Sequence, residues 1–113
     1  MAAMTTVLTE FSNNGNSRTS ITENHTALAP KLVIEKRRVP EGNQSVAEYS
    51  CKVVHATEDG EGNVLSQKVS LEVVARYPLL GQSTDVDAAL VILRDIIAGD
   101  EFAASIATQG WLG

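Results

Sequence analysis

The side chains of residues 64–77 alternate in character along the chain. Leu65, Val69, Leu71, Val73 and Ala75 fall on one side, and Ser66, Lys68, Ser70, Glu72 and Arg76 on the other. A period of two is the mark of a strand in an antiparallel sheet with one face packed and the other solvated. Such a sheet does not stand until something covers its apolar face. This requirement constrains the rest of the chain more than any other feature.

The preceding segments supply the sheet. Residues 46–57 set Ala47, Tyr49, Cys51 and Val53 against Glu48, Ser50 and Lys52, and residues 58–63, with Asp59-Gly60 and Gly62-Asn63, read as the hairpin turn between the two strands. Residues 31–38 form a further strand, closed by Val39-Pro40-Glu41-Gly42-Asn43. Upstream, the Thr-rich and β-branched residues 5–11, the turn-rich cluster 12–17 and a short return over 18–23 predict an N-terminal hairpin. Pro78 stops the last strand, and 79–83 is a connector. Thr84 is the expected N-cap of a helix, with Asp87 three residues on as a variant capping box. Val86, Ala89, Leu90, Leu93, Ile96 and Ile97 recur at helical spacing, Gly99 ends the run, and a short second helix over 100–108 presents Phe102 and Ile106.

Five strands followed by two helices make an α+β chain, because no βαβ unit occurs. The 113 residues suit a single domain, with a hairpin over 1–27, a main antiparallel sheet over 28–78 and helices over 84–109. A helix of about fifteen residues extends roughly 22 Å at 1.5 Å per residue. It can lie over its own sheet or over that of a second copy, and the pattern leaves both open.

Composition narrows the function. No run approaches the roughly 18 apolar residues of a membrane helix, and the N-terminus lacks a basic stretch followed by an apolar one. A soluble chain made in a cytoplasm is the expectation. The net charge of −5 weighs against a nucleic-acid partner, but the distribution softens that. Seven of the nine Lys and Arg residues lie between 31 and 76, where seven acids also fall, leaving two bases against seven acids elsewhere.

No catalytic constellation, cofactor site or metal site is expected. His25 and His55 lie near strand ends with nothing to place either beside Cys51, which falls on an apolar face and reads as a structural thiol. His55, Glu58 and Asp59 are too loose a set for a metal. Asp85 and Asp87 sit where a helix dipole favours them. The polar sheet face is the candidate surface: Ser50, Lys52, Ser66, Lys68 and Ser70 share it if the last two strands pair through the 58–63 turn. Lysines there meet phosphates, and small hydroxyl side chains let bases approach.

The strand Lys68-Val69-Ser70-Leu71-Glu72-Val73-Val74-Ala75-Arg76-Tyr77-Pro78, the helix from Asp85 to Ile97 and the short second helix ending near Trp111 resemble the C-terminal half of levivirus-type coat proteins of single-stranded RNA bacteriophages. The N-terminal hairpin and the lack of any earlier helix fit as well, so the likeness spans the architecture. The chain is shorter than is usual there, with one or two fewer strands. The resemblance implies a non-enzymatic subunit whose helices pack over the sheet of a dimer partner, through Val86, Leu90, Leu93, Ile97 and Phe102 here. It implies assembly into an icosahedral shell in the bacterial host cytoplasm, a place in the virion, and a sheet face that binds a hairpin in the viral RNA and represses translation. Carried onto this chain, the RNA-facing positions are Ser50, Lys52, Ser66, Lys68 and Ser70, with Arg37 beside them. The loops at 39–45 and 58–63 become inter-dimer contacts. The competing reading is a small α+β protein-binding or adaptor domain.

Overall fold

The computed structural model describes residues 3–41 and 45–113, so the middle of the 39–45 loop lies outside the described residues. Five strands, β1 (Thr9–Asn13), β2 (Ser17–Ile21), β3 (Lys31–Arg38), β4 (Val46–Glu58) and β5 (Val64–Pro78), are followed by α1 (Ser83–Ala98) and α2 (Asp100–Thr108). The α+β class follows directly. The chain divides into two compact units, one of residues 3–79 and one including 80–113.

In the first unit all five strands form one antiparallel sheet in chain order, so the N-terminal hairpin continues the main sheet through β2–β3 pairing from Ser17↔Lys36 to Ile21↔Leu32. Its first strand starts later than Thr5, and a register irregularity falls between Glu10 and Ser12. Asn13 Oδ1 accepts from the Gly15 N–H (2.9 Å) and Asn14 Oδ1 from the Ser17 N–H (3.0 Å), so amide side chains hold the β1–β2 turn, with Gly15 at φ 93°. The β2–β3 connection is tied by His25 Nδ1, which accepts from the Lys31 N–H at 3.0 Å.

The β4–β5 turn is organised by Asp59. Its Oδ1 accepts from the Glu61 N–H (2.8 Å) and the Asn63 N–H (3.0 Å), its Oδ2 accepts from the Asn63 amide (3.2 Å), and Gly62 rather than Gly60 takes the positive φ. Hydrogen bonds from Asn63 and then Glu61 hold the Asp59 carboxyl below the ordinary carboxylate range. A depressed folded value means the loop is held above the ordinary carboxylate pKa and released as the pH falls through the folded one. The Glu61 and Asn63 amide proton shifts should therefore titrate together in an acid NMR series, with a midpoint below about 3.9; a midpoint at or above that value would contradict the arrangement.

Little of this sheet is interior. Among the described residues the buried hydrophobic side chains are Val33, Ala47 and Ala56. Ser20 is fully buried and its Oγ finds no hydrogen-bond partner among them. An unsatisfied buried hydroxyl costs about 1–3 kcal/mol. Ser20→Ala should raise the melting temperature, and a lower one would mean that the hydroxyl is satisfied after all.

In the second unit, α1 begins at Ser83 rather than after Thr84. Gln82 occupies the N-cap without a side-chain cap hydrogen bond, and the Thr84 hydroxyl instead donates to Gln82 Oε1 at 3.5 Å. The expected capping box is therefore not formed. Gln82→Ser should supply the missing acceptor and stabilise the helix by about 1 kcal/mol, read as a higher melting temperature. Gly99 ends α1, as expected, in an extended conformation (φ −79°, ψ 151°) and also precedes α2. The second helix ends in a left-handed cap at Gln109 (φ 56°), whose N–H bonds Ser105 O. Neither helix contains a buried residue.

Candidate nucleic-acid interface

Residues paired across neighbouring strands point to the same face of a sheet, so the register sorts the side chains. One face carries Val53, Leu71, Val69 and Val73 together with Tyr49 and Cys51. The other carries Ser50 opposite Val74, Lys52 opposite Glu72, Val54 opposite Ser70 and Ala56 opposite Lys68. Ser50, Lys52, Lys68 and Ser70 thus share one face, and Ser66, exposed, has the same parity as Lys68 on β5.

Arg37 does not join them. It pairs with Tyr49 and so lies on the opposite face, while its neighbours Lys36 (opposite Ser50) and Arg38 (opposite Glu48) fall on the lysine-bearing one. Of three consecutive cations the register selects the outer two. Arg76 joins this face as well, held by Glu48 through an ion pair of 2.7 Å. Within the regular register this face therefore carries five cations, Lys36, Arg38, Lys52, Lys68 and Arg76, against two carboxylates, Glu48 and Glu72. An excess of positive charge on one face of a chain whose net charge is −5 is a local electrostatic feature suited to a polyanion. The face is not wholly polar: Ile34, Val54 and Val74 form an apolar band between the cations. Apolar and hydroxyl side chains so placed can admit bases, and the cations can reach phosphates.

The opposite face holds a polar cluster at one end. The Tyr49 hydroxyl donates to Glu35 Oε2 at 2.6 Å, and burial, with Glu35 adding to it, raises the tyrosine's pKa well above its ordinary value. Burial, reinforced by the Glu35 charge, also pushes the Cys51 thiol up, which keeps it protonated and poorly nucleophilic at neutral pH. His55 Nδ1 lies 2.7 Å from Ala56 O. Among the described residues no three His, Cys, Asp or Glu side chains converge as a metal site would require, and no helix is long and apolar enough to cross a membrane.

The second unit presents the residues expected to meet a partner. Val86, Leu90, Leu93 and Ile97 lie along one stripe of α1, each between 36% and 42% exposed, with Phe102 half-buried on α2. Sequence periodicity overlooked Val91 and Ile92, which stand off that stripe and are 53% and 62% exposed. The 58–63 loop is exposed throughout.

No family model matches the sequence, and no curated protein matches it in sequence. Solved structures do share its fold. The subunit of the virus-like particle of Wenzhou levi-like virus 4 superposes with a TM-score of 0.80 at 12% identity, over 92% of this chain and 75% of that one. The virus-like particle of bacteriophage AVE019 gives 0.68 at 10% identity, over 95% of this chain and 88% of that one. That of Beihai levi-like virus 32 gives 0.66 at 10% identity, over 87% and 88%. At these identities the likeness is one of fold.

Proposed function

We propose that this chain is a levivirus-type coat protein: a non-enzymatic subunit that dimerises, assembles into an icosahedral shell in the host cytoplasm, packages single-stranded RNA and forms the virion. The observation that carries the reading is the near absence of a core. Buried hydrophobic residues among those described are Val33, Ala47 and Ala56, while Leu71, Val69, Val53, Leu90 and Ile97 are all about 40% exposed or more. Exposed apolar surface on this scale, on the sheet and on α1 alike, marks association surfaces, and an association surface that belongs to the subunit's own folding is the mark of an obligate oligomer.

Two features support how copies would meet. Among the described residues the 15-residue β5 has β4 on one side only, so its other edge offers a row of backbone donors and acceptors to a second β5. The stripe on α1 then covers the apolar face of the partner's sheet. With that face closed, the cation-bearing face is left to look inward, where it meets the genome and, by binding an RNA hairpin, represses translation. The fold shared with three virus-like particle subunits supports the same reading.

Expression in bacteria followed by light scattering and electron microscopy tests it. Discrete particles containing host RNA are the expected result. Monomers or simple dimers under all salt and RNA conditions would favour an adaptor domain and overturn the proposal.

A further inference from the structure

Charge is unevenly divided between the two units. Residues 80–113 carry Asp85, Asp87, Asp95, Asp100 and Glu101 against the single base Arg94. Both helices have acids in the first turn and no base in the last. Glycine 99 is followed at once by Asp100 and Glu101, both exposed at the start of α2.

The sheet has a matching cationic recess. A cleft of about 340 Å³ opens where the β1–β2 turn meets the ends of β3 and β4, and its lining includes Arg18 and Arg37 against one carboxylate, Glu35, with Lys36 also at its border although the register gives that side chain to the other face. Glu35 is engaged by the Tyr49 hydroxyl at 2.6 Å, and Arg18 Nε lies 3.3 Å from Glu10, the sole ion pair of the β1–β2 hairpin among the described residues. Hydrogen bonds tie the wall together: the Arg37 N–H bonds Asn16 O at 2.9 Å, and two asparagine side chains brace the turn. By the register, Arg18 pairs with Glu35 and Arg37 with Tyr49, so both arginines belong to the apolar face rather than to the one with Lys52 and Lys68. On this face β4 and β5 carry Val53, Leu71, Val69 and Val73, while β2 and β3 carry Arg18, Glu35 and Arg37 beyond the buried Ser20 and Val33.

We infer that this recess is an electrostatic latch for a second copy of the chain, in which Arg18 and Arg37 receive Asp100 and Glu101 at the start of the partner's α2. The inference rests on the coat-protein reading and adds what fixes the helices in place. Length supports it. The 16 residues of α1 extend about 24 Å, the width of about five strand spacings. Four spacings separate β5 from β1, so a helix that sets out over the partner's β5 and crosses its strands obliquely ends above β1–β3. The apolar stripe of α1 meets the apolar strands, and the acids that follow it meet the arginines. RNA is disfavoured as the occupant because the recess belongs to the face that the helices cover.

The test is a charge exchange between copies. Arg18→Glu with Arg37→Glu gives one variant, and Asp100→Lys with Glu101→Lys gives the other. Each alone should weaken dimerisation at least tenfold and yield few particles, because acids then face acids or bases face bases. Coexpressed, they should form heterodimers and particles again, since both latches of the mixed dimer are restored. Coexpression also serves if either variant fails to fold alone, and Arg18→Lys with Arg37→Lys should assemble normally. Single variants that assemble like the parent, or coexpression that rescues nothing while all four substitutions in one chain do, would overturn the latch. Loss of RNA uptake with dimerisation intact would assign the recess to nucleic acid and overturn it equally. A parent chain that forms neither dimers nor particles would instead refute the coat-protein reading.

Discussion

Leu93→Asp should abolish dimers and, with them, particles. Leu93 lies at the middle of the stripe formed by Val86, Leu90 and Ile97 and is 36% exposed in the single chain. In the proposed dimer it is enclosed between α1 and the partner's apolar sheet face. An unpaired carboxylate in such a place costs several kcal/mol, and a two-fold interface contains the substitution twice. At about 3 kcal/mol per copy the dimer dissociation constant rises by roughly four orders of magnitude. Sedimentation or multi-angle light scattering would read this as monomer or unfolded chain in place of particles. Ala88→Asp, exposed and on the opposite side of α1, is the control and should assemble normally. Particles from Leu93→Asp in parental yield would show that this stripe does not carry the association.

The strands over 31–38, 46–58 and 64–78 and both helices were legible because their patterns are long: two-residue alternation for β4 and β5, three-to-four-residue spacing for α1. The N-terminal strand was misplaced because Thr5 to Leu8 have β propensity but no partner. The β1–β2 pairing ends at Thr9↔Ile21, and propensity alone cannot supply a neighbour. The start of α1 lies two residues earlier because Thr84 is inside the first turn, where its hydroxyl reaches Gln82 instead of capping. The polar cluster of Glu35, Tyr49 and Arg18 was invisible, since it joins residues from three strands whose mutual register no local pattern fixes.

The same dependence on register decides the RNA-facing residues, and it gives the second large prediction. Alternation within β4 and β5 was enough to place Ser50, Lys52, Lys68 and Ser70 on one face. It was not enough for Lys36-Arg37-Arg38, because a run of three like residues has no internal phase. Pairing of Arg37 with Tyr49 sets that phase and leaves Lys36 and Arg38 beside the lysines. In the proposed shell this face meets RNA, so Lys52→Ala with Lys68→Ala should weaken RNA binding at least tenfold. It should also make the slope of log affinity against log salt shallower by about 1.4 to 1.8, because two phosphate contacts no longer release counterions. Glu72→Ala should act in the opposite sense, since its carboxylate sits directly across from Lys52. Arg37→Ala, on the other face, should leave the slope where it was. Filter binding or fluorescence anisotropy over a salt series separates these outcomes. If the double lysine variant keeps both affinity and slope while Arg37→Ala changes them, the face that meets RNA is the one carrying Tyr49, and the order of layers in the proposed shell is reversed.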